Sequence, residues 1–393
     1  MKISGIICEY NPFHNGHGYL LKKAKESADA VICVMSGNFT QRGEAAIADK
    51  VCRAEMAVRC GANLVLELPF PFSSASAAYF ATAGIEILGR VGVDTLVFGS
   101  ESGDIHRLAE LATRADDAAE TAGKIDPAVG SAKAYYALLG EDERLLPNDI
   151  LGIEYLRAIR RVNGRMMVKA IKRVGDGYKK INVGDSRYAS ATALRLRLEN
   201  GDLASTAYYV PTTVVSSLAL GFAAEEVPAG LANAERAVLN FYRTIVPASL
   251  SEIAGLGNGL EYRLCDCAAK ARSLGEMYRY ASTKKYTDSA IRRAVLAGMV
   301  GVTWEDLDRG VAYSTVLAAD VKGREILSSL RKGTLPLLTK PSDIEALCRK
   351  FPEKTDEIRR QAFLSSRADA LYTLCLPKIG RRGMYLQKNA VML

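Results

Sequence analysis

Apolar and polar positions follow two rhythms over the first two hundred residues. Short, nearly continuous apolar runs alternate with stretches in which apolar residues recur every three or four positions. The runs Ile3–Cys8, Ala30–Met35, Asn63–Leu68 and Thr95–Phe98 predict strands buried on both faces. Helical spacing between and after them predicts helices over His17–Lys25, Ile47–Cys60, Ala75–Leu88, Ile105–Ala119 and Ser131–Leu139. Gly61 reads as a helix stop and Pro69 as the end of the third strand. Asp149 is placed to cap a helix running to Ile159, and Met166–Ile171 predicts a further strand. This alternation predicts an α/β fold with a doubly wound, Rossmann-like parallel sheet.

Beyond about Gly201 the rhythm changes and strand-like runs become scarce. Helical patterns dominate over Ala232–Tyr242, Glu261–Tyr278, Ser289–Leu296, Arg324–Leu330 and Ile358–Leu374, with Gly/Pro-containing joints between them. Two parts are expected: an α/β domain over residues 1–200 and a mainly helical domain over 201–393.

Composition narrows the class. The chain has 393 residues, 49% hydrophobic and 24% charged, which suits a globular protein of about two or three domains. No apolar run reaches the ~18–20 residues of a membrane span. The first strand begins at Lys2 without the pattern of a signal peptide, so a cytoplasmic protein is expected. The eight cysteines are irregularly spaced, with no C-x-x-C. Cys265-Asp266-Cys267 lacks a second half or a nearby histidine for zinc, so neither a disulfide framework nor a zinc site is expected. A formal net charge of +8 permits a polyanionic partner.

The candidate chemistry starts with histidine. Only three histidines occur, and two of them fall in Glu9-Tyr10-Asn11-Pro12-Phe13-His14-Asn15-Gly16-His17. This H-x-G-H run sits on the turn from the first strand to the first helix. Helix-terminal N–H groups there favour a bound phosphate, and Gly16 leaves room for it to approach the backbone. The same residues also suit two surface histidines on an Asn/Gly turn; the place after the first strand of an α/β pattern favours the ligand site. Ligands of doubly wound sheets lie beyond the carboxyl ends of the strands. His14 and His17, Gly37-Asn38 and Gly99-Ser100-Glu101 are therefore expected to meet.

A second motif, Ser190-Ala191-Thr192-Ala193-Leu194-Arg195, has the form S-x-T-x-x-R at a helix start. Ser190 reads as the N-cap, Thr192 offers a hydroxyl in the first turn, and Arg195 follows one turn on. Such a tip suits the β- and γ-phosphates of a nucleotide. By itself it is equally an ordinary helix cap.

Together the two motifs resemble those of the nucleotidyltransferase superfamily. There the paired histidines stabilise charge on the α-phosphate while diphosphate leaves. Several runs resemble, more closely, the bacterial tRNA(Met) cytidine acetate ligase family. They are Glu9 to His17, Met35-Ser36-Gly37-Asn38-Phe39-Thr40-Gln41-Arg42-Gly43-Glu44, Phe98-Gly99-Ser100-Glu101, Asn148-Asp149-Ile150-Leu151-Gly152-Ile153-Glu154-Tyr155 and Ile171-Lys172-Arg173-Val174. The similarity is dense over the first two hundred residues and thinner beyond. Glu44-Ala45-Ala46 departs from an expected Glu-Pro-Ala and removes no chemical group.

The resemblance implies a two-step ligase. Acetate attacks the α-phosphate of ATP to give acetyl-adenylate and diphosphate. The N4 amine of the wobble cytidine of elongator tRNA(Met) then takes the acetyl group, giving N4-acetylcytidine and AMP. It implies His14 and His17 as the catalytic pair. ATP contacts are implied along Ile7-Cys8-Glu9-Tyr10-Asn11-Pro12-Phe13-His14-Asn15-Gly16-His17-Gly18-Tyr19-Leu20 and at Gly99, Asn148, Arg173 and Val174. Ser190, Thr192 and Arg195 join them through the second motif. No residues are assigned to a metal, and Mg2+ is expected with the triphosphate. Arg42 suits a phosphate clamp or a solvated loop arginine; Glu9 suits a water-mediated magnesium contact, a histidine-orienting role or a structural one.

The helical part is then expected to hold RNA. Lys284-Lys285-Tyr286, Arg292-Arg293 and the tail Lys378 to Lys388 mix basic and tyrosine side chains suited to phosphate contact and base stacking. Two other readings remain: a small-molecule adenylyltransferase or acyl-adenylate ligase on the same fold, and a non-catalytic RNA-binding relative.

Overall fold

In the computed structural model, residues 1–121, 145–162, 164–173, 187–283, 285–330 and 335–393 are described. The helix expected over Ser131–Leu139, and the residues Val174 and Lys284, lie outside them. Five strands form the parallel part of the sheet: β1 (Ile3–Cys8), β2 (Ala30–Ser36), β3 (Leu64–Leu68), β4 (Thr95–Ser100) and β5 (Met167–Lys172). They are ordered β5-β4-β1-β2-β3, each parallel to its neighbour. The helices between them are α1 (Asn15–Lys25), α2 (Lys50–Arg59), α3 (Ala77–Arg90), α4 (Ile105–Thr121) and α5 (Pro147–Val162).

Each β2 residue is buried, and alternate side chains enter different cores. Ile32 and Val34 pack with Ile85 and Leu88 of α3 and Ile153 of α5. Val31, Cys33 and Met35 pack on the other face with Leu21 of α1 and Ala54 and Ala57 of α2. Period-two side chains met by helices on both faces are what a near-continuous apolar strand requires. The doubly wound α/β fold read from the sequence is therefore the one observed.

The remaining helices are α6 (Ala191–Glu199), α7 (Thr212–Ala223), α8 (Glu235–Thr244), α9 (Leu260–Lys270), α10 (Leu274–Ala281), α11 (Asp288–Val300), α12 (Val321–Ser329), α13 (Ile344–Lys350) and α14 (Thr355–Cys375), with shorter turns between. The single helix expected over Glu261–Tyr278 is two, because the chain extends at Ala271 and Ser273 restarts it by accepting the Glu276 N–H.

Three strands from this region rejoin the sheet. β6 (Ser314–Ala319) pairs antiparallel with β3, and β7 (Leu337–Leu338) and β8 (Val391–Met392) pair with β6. The change of character near residue 200 thus separates strand-rich from helix-rich sequence without dividing the sheet. β6 escaped the sequence reading because Ser314, Thr315 and two alanines dilute its apolar signal; only the tertiary pairing on β3 buries all six residues.

A buried ion cluster ties the C-terminal helix to the sheet. Lys50 Nζ lies 2.8 Å from Glu67 and 2.9 Å from Asp369 of α14. Burial alone would pull the Lys50 ammonium down, but Asp369 and Glu67 reverse this and hold it above its ordinary value. Asn38 completes the cluster, its Nδ2 donating to Asp369 and its Oδ1 accepting the Lys50 N–H.

Candidate active site

Cys8 ends β1, and Tyr10 turns the chain with φ of +47°, a left-handed conformation rare for an aromatic residue. The turn sends Tyr10 and Phe13 into the core, with 1% and 0% of their surface exposed. Their rings form the floor for His17, at centroid distances of 5.0 and 5.7 Å. His14 is the N-cap of α1. Its Nδ1 accepts the Gly16 N–H at 3.0 Å, and the His17 Nδ1 reaches back to the His14 N–H at 3.3 Å. This is a capping box built from two imidazoles. The rings stack at 3.7 Å with planes 26° apart.

A Cβ at residue 16 would lie 2.8 Å from His14 Cε1. Gly16 therefore makes room for the folded-over histidine itself, a closer demand than the approach of a phosphate.

The electrostatics follow from this geometry. Burial, with Arg173 and Arg195 nearby, lowers the His14 pKa to about 3. Burial, His14 and Arg173 hold His17 well below its ordinary value. Both imidazoles are neutral at physiological pH. Because each Nδ1 accepts a backbone N–H, each Nε2 carries the proton. The pair offers two N–H donors and no formal charge.

Ser190 caps α6 by accepting the Ala193 N–H, as its motif predicts. Arg195 on that helix donates through Nη1 to the Asn11 carbonyl at 3.0 Å and through Nη2 to Thr192 Oγ1 at 3.3 Å. It also pairs with Glu44 at 3.5 Å. Asn15 anchors the same contact from the other side, donating to the carbonyls of Arg187 and Tyr208. The two motifs, far apart in sequence, form one loop-to-helix junction.

The other strand ends frame it. β4 and β5 pair through Gly99 and Ile171, and the Arg173 N–H donates to Ser100 O at 2.9 Å. A Cβ on Gly99 would meet Arg173 Cγ at 3.5 Å, an ordinary contact, so the protein itself does not demand glycine there. Asn148 donates to Glu101 Oε1, and Glu101 Oε2 accepts the Asp149 N–H at 3.0 Å. Asp149 is inside α5 and does not cap it: its carboxylate takes the Ser100 hydroxyl and the N–H groups of Glu101 and Ser102. Two carboxylates thus cap one another's segments.

A family model described as HIGH Nucleotidyl Transferase matches residues 1–384. The tRNA(Met) cytidine acetate ligase of Acetivibrio thermocellus is 33% identical, with 100% of both chains covered. That of Thermosipho melanesiensis is 34% identical over 97% of this chain and 96% of the relative. This chain belongs to the tRNA(Met) cytidine acetate ligase family. A crystal structure of Thermotoga maritima TmcAL bound with alpha-thio ATP is 30% identical, superposes with a TM-score of 0.86 and covers 100% of both chains.

Within this ligase-family site, several residues also hold the loops in place. Asn38 spends both amide atoms on the Lys50–Asp369 cluster and supports the loop. Glu9 Oε1 accepts the Gln41 N–H at 2.8 Å, which fixes its carboxylate as a loop anchor. Asn11 Oδ1 accepts the Ile47 N–H at 2.8 Å. Ile7, Tyr10, Asn11, Pro12 and Phe13 are buried.

The sequence reading missed Arg53, which is 0% exposed. Its guanidinium donates to the carbonyls of Glu9, Ser36, Gly37 and Ala48, stapling the carboxyl ends of β1 and β2. An arginine on the inner face of α2 was the available signal. Glu44 was missed likewise; it links Arg195 to Arg292, the latter at 2.6 Å.

Four residues expected at an RNA surface have partners or burial within the fold. Arg292 pairs inward with Glu44 because Gly43 lets the loop close against the backbone of α11, and Arg293 donates to Gln41 O at 3.3 Å. Tyr286 is only 8% exposed, and Lys388 is bound to Asp49 at 2.7 Å. Exposed aromatics beyond residue 200 include Tyr208, Tyr262, Tyr280 and Phe363. Among the described residues no helix is long and apolar enough to cross a membrane.

Proposed function

We propose that this protein activates acetate with ATP and transfers the acetyl group to N4 of the wobble cytidine of elongator tRNA(Met). The observation that carries the reading is the junction of the two motifs: Arg195, rooted in the Ser190 helix, holds the Asn11 carbonyl three residues before His14. Full-length similarity to curated tRNA(Met) cytidine acetate ligases and to a structure bound with alpha-thio ATP supports it.

In the first step a carboxylate oxygen of acetate attacks the α-phosphorus. The bond to the α,β-bridging oxygen breaks and diphosphate leaves. His14 and His17 donate Nε2–H to the non-bridging oxygens on which charge builds. Neutral donors held by the backbone need no reorganisation as that charge develops. Gly99, Asn148, Arg173 and the Ile7–Leu20 segment line the nucleotide side. Arg195 serves this site by holding the histidine loop, and the Ser190 and Thr192 hydroxyls, which only accept within the fold, keep their O–H protons for the β- and γ-phosphates.

In the second step the cytidine N4 attacks the acetyl carbonyl, AMP leaves with the bonding pair, and the N4 proton passes to solvent. Magnesium would arrive with the triphosphate; among the described residues no group of three His, Cys, Asp or Glu side chains could hold a metal. Residues 1–200 supply the nucleotide site in this reading. Residues 201–393 supply the tRNA surface, and also β6 to β8.

The test is acetate-dependent ATP–diphosphate exchange, followed by transfer of labelled acetate to elongator tRNA(Met). Exchange and labelled N4-acetylcytidine support the reading. Exchange without label in RNA points to a small-molecule acyl-adenylate ligase, and no exchange to a non-catalytic relative.

A further inference from the structure

Strand order divides the site. Gly99 and Arg173, on β4 and β5, lie to one side of β1, and β2 and β3 lie to the other. On that other side, where the chain leaves β3, a partly open cavity lies between Phe70–Tyr79 and α11. One residue connects it to the histidine loop. Gln41 donates its N–H to Glu9 and its Nε2 to Ala75 O, and its carbonyl accepts from Arg293.

The cavity wall carries a guanidinium and two serines among largely apolar side chains. Arg293 lines it, and its one hydrogen bond is to the Gln41 carbonyl; among the described residues no carboxylate pairs with it. Ser74 and Ser76 also line it, and neither hydroxyl has a partner. Ser74 is only 8% exposed. Ser76 is the N-cap of α3, yet its side chain makes no capping bond. Buried hydroxyls left unpaired cost stability, and their retention needs a reason. A guanidinium, two unpaired hydroxyls and a helix N-terminus line the same cavity. All of them favour an anion. The rest of the wall, including Phe70, Ala294, Val302 and Leu307, is largely apolar, and the Tyr79 hydroxyl is spent on Asp308 at 2.6 Å.

We propose that this cavity binds a small carboxylate, its oxygens on Arg293, Ser74 and Ser76 and its alkyl end on the apolar wall. The inference rests on the acyl-activating reading above and names the acyl donor's site. A phosphate of RNA fits less well, because the donors sit inside the fold beside apolar side chains. Burial lowers the Arg293 pKa only to about 10, so the guanidinium is charged at neutral pH and available to a carboxylate.

The experiment is diphosphate exchange in the absence of tRNA, with acetate varied, on the full-length protein. Arg293→Met should raise the KM for acetate about tenfold or more, and leave the KM for ATP unchanged. Arg293 also touches Gln41, so the double variant Ser74→Ala/Ser76→Ala is the control. It should raise the acetate KM with Tm unchanged or higher, because the hydroxyls it removes bond to nothing in the fold. Unchanged acetate KM in both variants overturns the site. So does an acetate KM left unchanged while the KM for tRNA rises in a separate acetyl-transfer assay, which would mark an RNA phosphate contact. No acetate-dependent exchange in the unaltered protein overturns the reading itself and this inference with it.

Discussion

Arg195 Nη1 donates to the Asn11 carbonyl at 3.0 Å across a sequence separation of 184 residues. That bond makes the helix-tip motif a support for the histidine loop. Arg195→Ala frees the carbonyl and unpairs Glu44 from one of its two arginines. Diphosphate exchange is expected to fall at least about tenfold, the scale of losing hydrogen bonds to a charged group. Arg195→Lys should recover little, because one ammonium cannot reach Asn11, Thr192 and Glu44 in the geometry of the fork. Recovery by lysine would show that charge alone matters.

His14 has two separable tasks. As N-cap it accepts the Gly16 N–H, and as a donor it presents Nε2–H. Asparagine is among the best N-caps, whereas alanine costs about 1 kcal/mol there. His14→Asn should keep the melting temperature close to the parent and abolish exchange. His14→Ala should lose both exchange and some stability. Exchange at the parental rate in His14→Asn would remove the histidine from the chemistry.

The depressed histidines set a pH window. His14 has a folded pKa of about 3 against an ordinary value of 6.5. Between those values the unfolded chain takes up a proton that the folded chain refuses, so this contribution to stability is full above 6.5 and declines as pH falls toward 3. His17 acts in the same direction. In NMR titration the two ring signals should stay in the neutral form from pH 8 down to below 6. Arg173→Ala should raise both transitions, by removing a cation that disfavours imidazolium. A His14 or His17 transition near 6.5 in the unaltered protein would refute the neutral pair.

Lys50, Glu67 and Asp369 form a buried cluster that depends on its one cation. Lys50→Met leaves two carboxylates facing each other and is expected to cost about 3–5 kcal/mol in denaturant unfolding. Asp369→Asn leaves a balanced Lys50–Glu67 pair and should cost less. Equal losses would mean that packing of α14, and not charge, sets the stability.

Lys285 and Arg279 are exposed on the helical side, Lys285 over the Tyr286 ring and Arg279 over that of Tyr280. Charge reversal at both should weaken tRNA binding, lower its salt slope by about one per phosphate contact removed, and spare diphosphate exchange. Unchanged affinity and slope would place the RNA on another face.

Particular elements show how far one-dimensional pattern reaches. β1 is legible to the residue because Ile3–Cys8 is a nearly continuous apolar run, broken only at Ser4 and Gly5, that must be covered on both faces. The cap at Ser190 is legible because its partner, the Ala193 N–H, is three residues away. Asp149 was misread because its partners, Ser100 to Ser102, are nearly fifty residues distant. Arg292-Arg293 looked like a solvent-facing basic pair; a close approach of Gly43 to the α11 backbone turns both inward.

What the chain determined alone was whatever depends on near neighbours: the strand–helix rhythm, the helix caps, and the presence of two imidazoles on the first strand-to-helix turn. The return of β6 to the sheet, the neutral state of the histidines, the Arg195 anchor and the unpaired donors beside Arg293 were decided by the tertiary structure. Burial and long-range pairing depend on which distant segments share a dielectric and a hydrogen bond, and local periodicity carries no record of that.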